Sequence, residues 1–524
     1  MITNPILRGF NPDASAVRVD DDYYIAVSTF EWYPGISIYH SRDLANWYLV
    51  SCPIKEMDFS GDDNSAGLWA PHLSWSDGRF WLAITEVRSR GTFKDTNNYL
   101  SSCETIDGEW TRPIFINASG FDPALFHNED GRKYFLNMLW DYRPGHTSFS
   151  GIVMQEFDPV LQQLIGHRRL IFTGTTLGVT EGPQIFKRNG FYYLITAEGG
   201  TGYMHAATVA RSRDLWGPYE TLSDGPLITS VGAPELPLQK SGHICFLELG
   251  DEWYITHICA RPLAEMGNCV LGRETSLQKI EWYEDWPRLA QGGNRPKLVV
   301  DSPVLYANAE QVGDLSKVWQ FDEFVLPLDF LSLRVPLGNS ASLAERPGWL
   351  RLYGRESIIS NFDQTLVAAR WRSFRFRVET ALDFQPKSFQ QLAGLALFYN
   401  TENFFYAYKC GGDSDDQSVL NLMVCEHGKA TFAAEDIPVG NGLLYLAAEV
   451  NGDQAQFFYS KDQLEWVRLG NTLPADHLSD DHIEKSKLVF TGAMFALACQ
   501  DLDRRTAYAD FDYLLYKELP TNES

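Results

Sequence analysis

Three acidic residues stand in short motifs, far apart in the sequence, that suit acid–base chemistry. Asp13 lies in NPDAS, Asp122 in GFDPALF and Glu181 in TEGPQ. Cleavage of a glycosidic bond needs one carboxylic acid to protonate the leaving oxygen and a second carboxylate on the other face of the sugar. Each motif alone is also compatible with an ordinary turn or loop residue. Their chemical use therefore depends on whether the fold brings them together.

The three acids can be given different roles if they share one pocket. A general acid must keep its proton near neutral pH, and a neighbouring carboxylate achieves this by repulsion of like charge. We predict Glu181 as the acid, Asp122 as the neighbour that raises its pKa, and Asp13 as the ionised base that activates water.

Four further residues could contact a sugar, although each also has a structural explanation. Phe30 and Trp69 could form walls for a pyranose ring or be ordinary packing residues. His243 could orient a hydroxyl group or be a core histidine with satisfied hydrogen bonds. Arg273 could donate to sugar hydroxyls and balance the carboxylates.

The elements that must position these residues repeat five times in the first half of the chain. Each copy has a polar turn followed by an aromatic and β-branched run, which is a hairpin signal. Successive register residues are separated by 57, 54, 58 and 61 positions: Tyr24, Trp81, Phe135, Tyr193 and Tyr254. With about four strands per copy, the pattern predicts a five-bladed β-propeller over residues 1–295. The first strand of each blade would line the axis, so Asp13, Asp122 and Glu181 would converge.

A different pattern follows the propeller. The Gly, Pro and basic stretch GGNRPKLVV (292–300) predicts a linker, which we place at residues 296–318. Alternating apolar runs from Trp319 onward predict a β-sandwich over residues 319–524, so the expected fold class is all-β.

Composition and net charge indicate which classes of partner and which cellular compartment to expect. The net charge of −24 disfavours nucleic acid and anionic membranes as partners. The first residues have no signal-peptide pattern, and the eight cysteines have no paired spacing. These features predict a cytoplasmic protein with reduced thiols.

Along nearly its whole length the chain resembles the two-domain β-xylosidases of glycoside hydrolase family 43. The matching segments are GFNPDAS (9–15), GLWAPHLSWSDGRFWL (67–82), GFDPALFH (120–127), TEGPQ (180–184), ITAEGGT (195–201), QKSGH (239–243), LGRETSLQKIEW (271–282), ERPGWLRLYGRES (345–357) and FTGAMFALACQD (490–501). The resemblance implies a jelly-roll, concanavalin-like sandwich that closes the pocket. It also implies the base, modulator and acid roles given above.

The resemblance further implies a set of sugar-contacting residues, namely Phe30, Trp69, Ala70, Thr201, His243 and Arg273. Relatives commonly read FTGAF where this chain has FTGAM, so the aromatic residue that approaches the pocket from the sandwich is expected to be Phe495.

The expected function is inverting, exo-acting release of xylose from the non-reducing end of short β-1,4-xylo-oligosaccharides, with α-L-arabinofuranosides as a second substrate class. The alternatives are an arabinose-specific hydrolase of the same fold and a non-catalytic sugar-binding propeller. No cofactor is expected to be required, and a divalent cation such as calcium beside His243 stays an open alternative. The resemblance implies a homo-oligomer, either a dimer or a tetramer.

Overall fold

The computed structural model describes residues 1–88, 91, 93–414, 417–483 and 489–520. Five four-stranded antiparallel blades follow one another between residues 15 and 289, and in each blade the strands run outward in chain order. This arrangement confirms the predicted five-bladed propeller. The strands are Ser15–Val19, Asp22–Val27, Ser37–Ser41 and Tyr48–Ser51 in blade 1; Gly67–Ser76, Arg79–Val87, Thr96–Cys103 and Ile114–Asn117 in blade 2; Ala124–His127, Lys133–Trp140, Phe149–Asp158 and Gln163–Phe172 in blade 3; Glu181–Arg188, Phe191–Glu198, Ala206–Ser212 and Glu220–Thr221 in blade 4; and Gln239–Leu249, Glu252–Ala260, Glu274–Tyr283 and Trp286–Leu289 in blade 5. A short strand, Ile228–Thr229, also pairs with the third strand of blade 4.

The hairpins that define the repeat use turn residues suited to left-handed backbone. Asp77 and Gly78 have φ angles of 56° and 70°, and Asn189 and Gly190 have φ angles of 50° and 75°. Two consecutive residues with positive φ are typical of the tight turn that joins twisted antiparallel strands. Local turn chemistry therefore sets the register of blades 2 and 4.

The N-terminal segment ties the first blade to the last. Leu7 and Thr275 exchange backbone hydrogen bonds of 3.1 and 3.3 Å, and the Asn11 amide donates to the Arg273 carbonyl at 2.9 Å. The side chain of Asn4 donates to the Leu277 carbonyl at 2.8 Å. Residues 4–11 thus run along the third strand of blade 5 before the chain enters blade 1.

The stretch predicted as a linker follows the propeller surface. Val299–Val300 pairs with Ile2–Thr3, and the ring of Tyr306, in the 3₁₀ turn Val304–Tyr306, packs on Tyr23 at 6.2 Å between centroids.

The second half of the chain forms two stacked antiparallel sheets, which confirms the predicted β-sandwich. The outer sheet contains Ala341–Ser342, Leu350–Tyr353, Tyr508–Glu518, Arg375–Phe384, Leu444–Asn451, Gln454–Ser460 and Val467–Pro474, with Lys317–Trp319 added beside Tyr508–Glu518. The inner sheet contains Thr365–Arg370, Met494–Asp501, Gln391–Asn400, Asn403–Gly411, Ser418–Glu426 and Lys429–Phe432, with Ile437–Pro438 added beside Ser418–Glu426. The remaining elements are the 3₁₀ turns Gly338–Ser340 and Ala475–His477 and one turn of α-helix, Asp480–Ile483. No helix in the described part of the chain is long and apolar enough to cross a lipid bilayer.

The central strands of the inner sheet are buried on both faces because the propeller covers the side that faces away from the sandwich core. All ten residues of Gln391–Asn400 are buried. Leu395 and Leu397 belong to the sandwich core, whereas Ala396 and Phe398 pack in a second cluster with propeller residues such as Trp32. A continuous apolar run is the pattern expected of a strand covered on both faces.

Backbone and side-chain hydrogen bonds fix the two domains together at the pocket end of the propeller. Trp32–Tyr33 pairs with Ser332–Leu333 across the interface. Arg370 donates from Nε to the Phe10 carbonyl at 2.7 Å and from Nη2 to Ser37 Oγ at 3.0 Å. The sandwich is therefore docked directly beside the start of blade 1.

A test of this interface replaces Gly9 with alanine. Gly9 has a φ of 80°, and a Cβ atom there would lie 2.0 Å from the Trp371 carbonyl oxygen of the sandwich. We expect Gly9→Ala to lower the free energy of unfolding by about 1–3 kcal/mol beyond the backbone strain itself. Thermal unfolding measures the change. Gly131→Ala is the matched control, because Gly131 has a φ of 85° with nothing within 4 Å of the added Cβ. Equal destabilisation by the two substitutions would contradict the close contact between domains.

Candidate active site

Every blade has at least one pocket-end residue with left-handed backbone near the start of its innermost strand. These are Asp13 (φ 58°), Ala70 (24°), Asp122 (56°), Gly182 (58°) and His243 (48°). In blades 2, 4 and 5 the same region interrupts the strand register. Non-glycine residues seldom adopt this conformation, and such strain is concentrated at functional sites. The five positions turn the inner strands at one end of the channel, where Asp13, Ala70, Asp122, Glu181 and His243 line a common pocket.

Of the three predicted acids, Asp13 accepts the most side-chain hydrogen bonds. It is 4% exposed; Ser28 Oγ donates to Oδ2 at 2.5 Å, and Arg273 Nη1 donates to Oδ1 at 3.0 Å. His243 Nδ1 lies 3.7 Å from the same Oδ1. Burial lowers the pKa of His243, so the imidazole is favoured in its neutral form and Arg273 is the cation that faces Asp13. These contacts fix the orientation of the Asp13 carboxyl group beside a cation.

Glu181 and Asp122 form a buried acidic pair at the junction of blades 3 and 4. The Gly182 amide, next to Glu181, donates to Asp122 Oδ2 at 3.0 Å. Burial, followed by the charges of Asp122 and Asp13, raises the pKa of Glu181 well above its usual range. Burial and the charge of Asp13 raise the pKa of Asp122 to about 7, against the opposing effect of Gly182 and Arg273. The pair therefore retains a proton near neutral pH, which a general acid requires.

Glu198 anchors the loop that leads into Glu181. Its fully buried carboxylate accepts hydrogen bonds from the Thr175 amide at 2.7 Å, from Thr180 Oγ1 at 2.9 Å and from Thr208 Oγ1 at 2.8 Å. Thr180 immediately precedes Glu181, so these bonds fix the backbone that delivers the acid to the pocket. Glu198 lies in the ITAEGGT segment but was not predicted to have this role.

Aromatic rings form much of the wall of this pocket, which has a volume of about 280 Å³. Trp69 contacts Phe30, Phe121 and Phe490 with ring centroids 5.8, 5.4 and 5.4 Å apart. Phe121 also contacts Trp140 and Phe149 at 5.9 Å each. Flat apolar walls around a few polar groups are typical of small-molecule sites, and they suit the faces of sugar rings.

The structure brings nine of the ten predicted site residues together. The lining contains Asp13, Phe30, Trp69, Ala70, Asp122, Glu181, Thr201, His243 and Arg273. Arg273 also donates from Nη2 to the Phe490 carbonyl at 3.2 Å and lies 5.5 Å from the ring centroid of Phe30. One cation thus contacts the proposed base, the aromatic wall and the second domain.

Phe495 does not line the pocket, so this part of the prediction is wrong. Its ring is 1% exposed inside the sandwich, where it packs on Trp319, Phe376 and Tyr516. Neighbouring side chains of a strand point to opposite faces, so Met494 faces the propeller side and Phe495 faces the sandwich core. The sandwich residue that reaches the pocket is Phe490, five positions earlier.

Sequence reasoning also missed several lining residues at the ends of strands and in loops. They are Lys94, Phe121, Trp140, Phe149, Val179 and Gly200. Phe121 directly precedes Asp122 in GFDPALF and could have been found from that motif. Trp140 and Phe149 lie at facing ends of two strands of blade 3, and nothing in the repeat distinguishes them from packing residues.

The residues around His243 give no additional support for a cation there. Among the residues that the structure describes, His243 belongs to no group of three metal-ligating side chains. A divalent cation beside His243 stays a prediction.

The pocket combines a carboxyl group that keeps its proton, a second carboxylate bound by a guanidinium, and aromatic walls. These are the groups that the cleavage of a glycosidic bond requires. The family profile described as glycosyl hydrolases family 43 matches residues 2–287, and that of the beta xylosidase C-terminal concanavalin A-like domain matches residues 319–517. The chain belongs to glycosyl hydrolases family 43.

Individual relatives match over the whole chain. A beta-xylosidase of Bacillus subtilis (strain 168) is 44% identical over 99% of this chain and 99% of its own length. A xylosidase/arabinosidase 43B of Humicola insolens is 44% identical over 98% of this chain and 97% of its own. The crystal structure of a xylan beta-1,4-xylosidase from Bacillus halodurans C-125 superimposes with a TM-score of 0.95 at 45% identity, covering 99% of this chain and 100% of that one.

The position of Asp122 beside Glu181 predicts how Asp122→Asn changes the pH profile. With Glu181 as the predicted general acid, we expect hydrolysis to decline as pH rises through its raised pKa. Removing the negative charge of Asp122 lowers that pKa, because the repulsion that favours the proton is lost. We expect the alkaline limb of kcat/KM on a β-xyloside to move to lower pH.

The control for this shift is Asp130→Asn, an exposed aspartate of the same blade. It should leave both limbs in place. An alkaline limb that stays fixed, or moves to higher pH, in Asp122→Asn would show that Asp122 does not set the pKa of Glu181.

Proposed function

We propose that the protein is an exo-acting β-xylosidase that releases xylose, with inversion, from the non-reducing end of short β-1,4-xylo-oligosaccharides. The observation that carries the proposal is the meeting of Asp13, Asp122 and Glu181 in one aromatic pocket, with a proton retained beside Glu181. The names of the full-length relatives from Bacillus subtilis and Bacillus halodurans support xylosides as the substrate.

In the proposed reaction Glu181 donates its proton to the glycosidic oxygen as the bond to the anomeric carbon breaks. Asp13 accepts a proton from a water molecule that attacks the opposite face of the sugar. Asp13 comes from blade 1 and Glu181 from blade 4, with blade 5 between them on one side of the ring and blades 2 and 3 on the other. This placement across the channel favours room for a water molecule, which the inverting mechanism requires.

The shape of the pocket supports removal of terminal units. Phe490 and its carbonyl come from the sandwich and meet Trp69, Phe30 and Arg273 of the propeller. The pocket volume of about 280 Å³ lies just below the range of about 300–1,000 Å³ that is typical of small-molecule sites. A small pocket closed by a second domain suits one chain end better than the middle of a polymer.

Two other functions are compatible with the same fold. The name of the Humicola insolens relative combines xylosidase and arabinosidase, so an arabinose-specific hydrolase of the same fold is the second candidate. Initial rates on nitrophenyl β-xyloside and α-L-arabinofuranoside would separate the two. A non-catalytic sugar-binding propeller has no need of a protonated glutamate. The raised pKa of Glu181 therefore argues for catalysis.

We also propose a cytoplasmic location and a homo-oligomer. All eight cysteines are free and buried, which suits a reducing compartment. Exposed apolar side chains such as Phe324 (80%) and Val325 (77%) suit contacts between copies. Cell fractionation and light scattering, respectively, test these proposals. The proposed steps use no cofactor.

Glu181→Gln tests the role of the acid. Glutamine keeps the shape of the side chain but cannot donate the proton, so kcat on xylobiose should fall by about 10²–10⁴-fold. A dinitrophenyl β-xyloside, whose leaving group needs no protonation, should lose far less activity. Stopped assays of both substrates measure the difference. Glu220→Gln, an exposed residue of the same blade, serves as the control. An equal loss on the two substrates would rule out Glu181 as the acid.

The stereochemical outcome tests the role of Asp13. If water attacks opposite the leaving group, a β-linked substrate releases α-xylose first, and β-xylose appears only through mutarotation. Proton NMR during the first minutes of nitrophenyl β-xyloside hydrolysis follows the two anomeric signals, because the nitrophenol released has no anomeric centre of its own. A β-anomer formed first would mean that a covalent intermediate replaces direct attack by water.

A further inference from the structure

A second cluster of chemically active side chains lies on the sandwich, apart from the pocket. Glu426 ends the strand Ser418–Glu426, His477 ends the 3₁₀ turn Ala475–His477, and His482 lies in the helical turn Asp480–Ile483. One ligand atom from each residue lies within 4.8 Å of the others. The chain thus brings together two imidazoles and a carboxylate from three different elements.

The side chains of this cluster are held in a compact arrangement. His477 Nδ1 contacts Glu426 Oε1, and His482 Nε2 lies 3.8 Å from the same oxygen. The two imidazole rings are stacked with centroids 3.9 Å apart and planes inclined by 13°. Their side chains are 31% and 20% exposed, and that of Glu426 is 40% exposed. An ion could therefore reach the cluster from solvent.

We propose that Glu426, His477 and His482 bind a divalent first-row transition-metal ion of the Zn²⁺ type. Imidazole nitrogen and carboxylate oxygen are preferred ligands of Zn²⁺, which is bound by three protein groups and a solvent molecule in open sites. Ca²⁺ and Mg²⁺ prefer a shell of oxygen ligands, and this cluster offers only one carboxylate. The ligand set therefore selects a transition metal and excludes the alkaline-earth ions.

The site would connect a hairpin of the sandwich with a segment that reaches the propeller. We call residues 475–483 the bridging segment. In it, Asp481 contacts Lys240 Nζ at 2.5 Å and accepts from the Cys269 amide at 2.9 Å, and Asp476 accepts from Asn268 Nδ2 at 2.9 Å. A metal ion bound to both the bridging segment and Glu426 would fix the sandwich end of these interdomain contacts.

The proposed role is therefore structural, and it is independent of the hydrolytic function. Binding to the folded state alone stabilises that state by mass action. At a Zn²⁺ concentration 100 times the Kd, we expect the midpoint of thermal unfolding to rise by about 5 °C.

The experiment is a Zn²⁺ titration by isothermal calorimetry, with thermal unfolding in parallel, on the full chain freed of any polyhistidine tag. We expect one equivalent of Zn²⁺ to be lost, or its affinity to fall by at least about tenfold, in His477→Ala and in His482→Ala, because even outer-shell partners of a metal are worth about 10- to 100-fold. Any Zn²⁺ bound in the catalytic pocket persists in these variants, so the difference between titrations isolates the sandwich site.

Two controls make the result decisive. His167→Ala removes an exposed histidine of blade 3 and should leave the titration unchanged. Glu426→Gln preserves shape while removing the charge, and should weaken binding even if a histidine variant folds poorly. Excess Ca²⁺ should not compete. The same Zn²⁺ stoichiometry and affinity in all three cluster variants, or displacement of Zn²⁺ from this site by Ca²⁺, would overturn the proposal.

Discussion

The burial of three carboxyl groups around a single guanidinium is the constraint on which the site depends. Asp13, Asp122 and Glu181 are each less than 9% exposed, and Arg273 is the cation that contacts Asp13. Buried charges are costly unless they are paired, so the acids cannot all be ionised together. Arg273 and Ser28 orient Asp13, and the unbalanced pair of Asp122 and Glu181 retains a proton. The different roles of base and acid follow from the position of Arg273, which contacts Asp13.

The propeller fold supports the strained backbone conformations that this arrangement requires. Each blade places at least one left-handed residue near the start of its inner strand, and four of the five at the pocket (Asp13, Ala70, Asp122 and His243) carry a Cβ atom. Such residues cost of order 1–3 kcal/mol each and persist only where the surrounding structure fixes them. Here each is followed by an inner strand paired within a four-stranded blade. The strain is thus distributed over five sheets, and the chemistry is concentrated at their common axis.

Local sequence patterns were sufficient to predict the blades and the three acids. The pocket residues that were missed depend on long-range contacts. The blades were predictable because turn residues and alternating strands recur with a period near 57 residues, and the axis then required the three acids to converge. Phe490 could not be distinguished from Phe495, because the choice depends on which face of the inner sheet meets the propeller. The sequence of Gln391–Asn400 indicates a buried strand, but it does not say that the second covering surface is another domain. Trp140 and Phe149 are missed because an aromatic residue at the end of a blade strand can either pack between blades or line the pocket. The sequence pattern is the same in both cases.

Docking of the sandwich and the acid–base chemistry are coupled through Arg273. Its Nη1 donates to Asp13, while its Nη2 donates to the carbonyl of Phe490, whose ring covers Trp69 and Phe30. The domain that closes the pocket therefore also holds the cation that orients the proposed base. Glu181, whose pKa is raised mainly by burial, lines the same pocket as Phe490. Separating the domains would open this pocket and remove the Phe490 carbonyl from Arg273 at the same time. The second domain is thus part of the electrostatic machinery of the site as well as a wall around it.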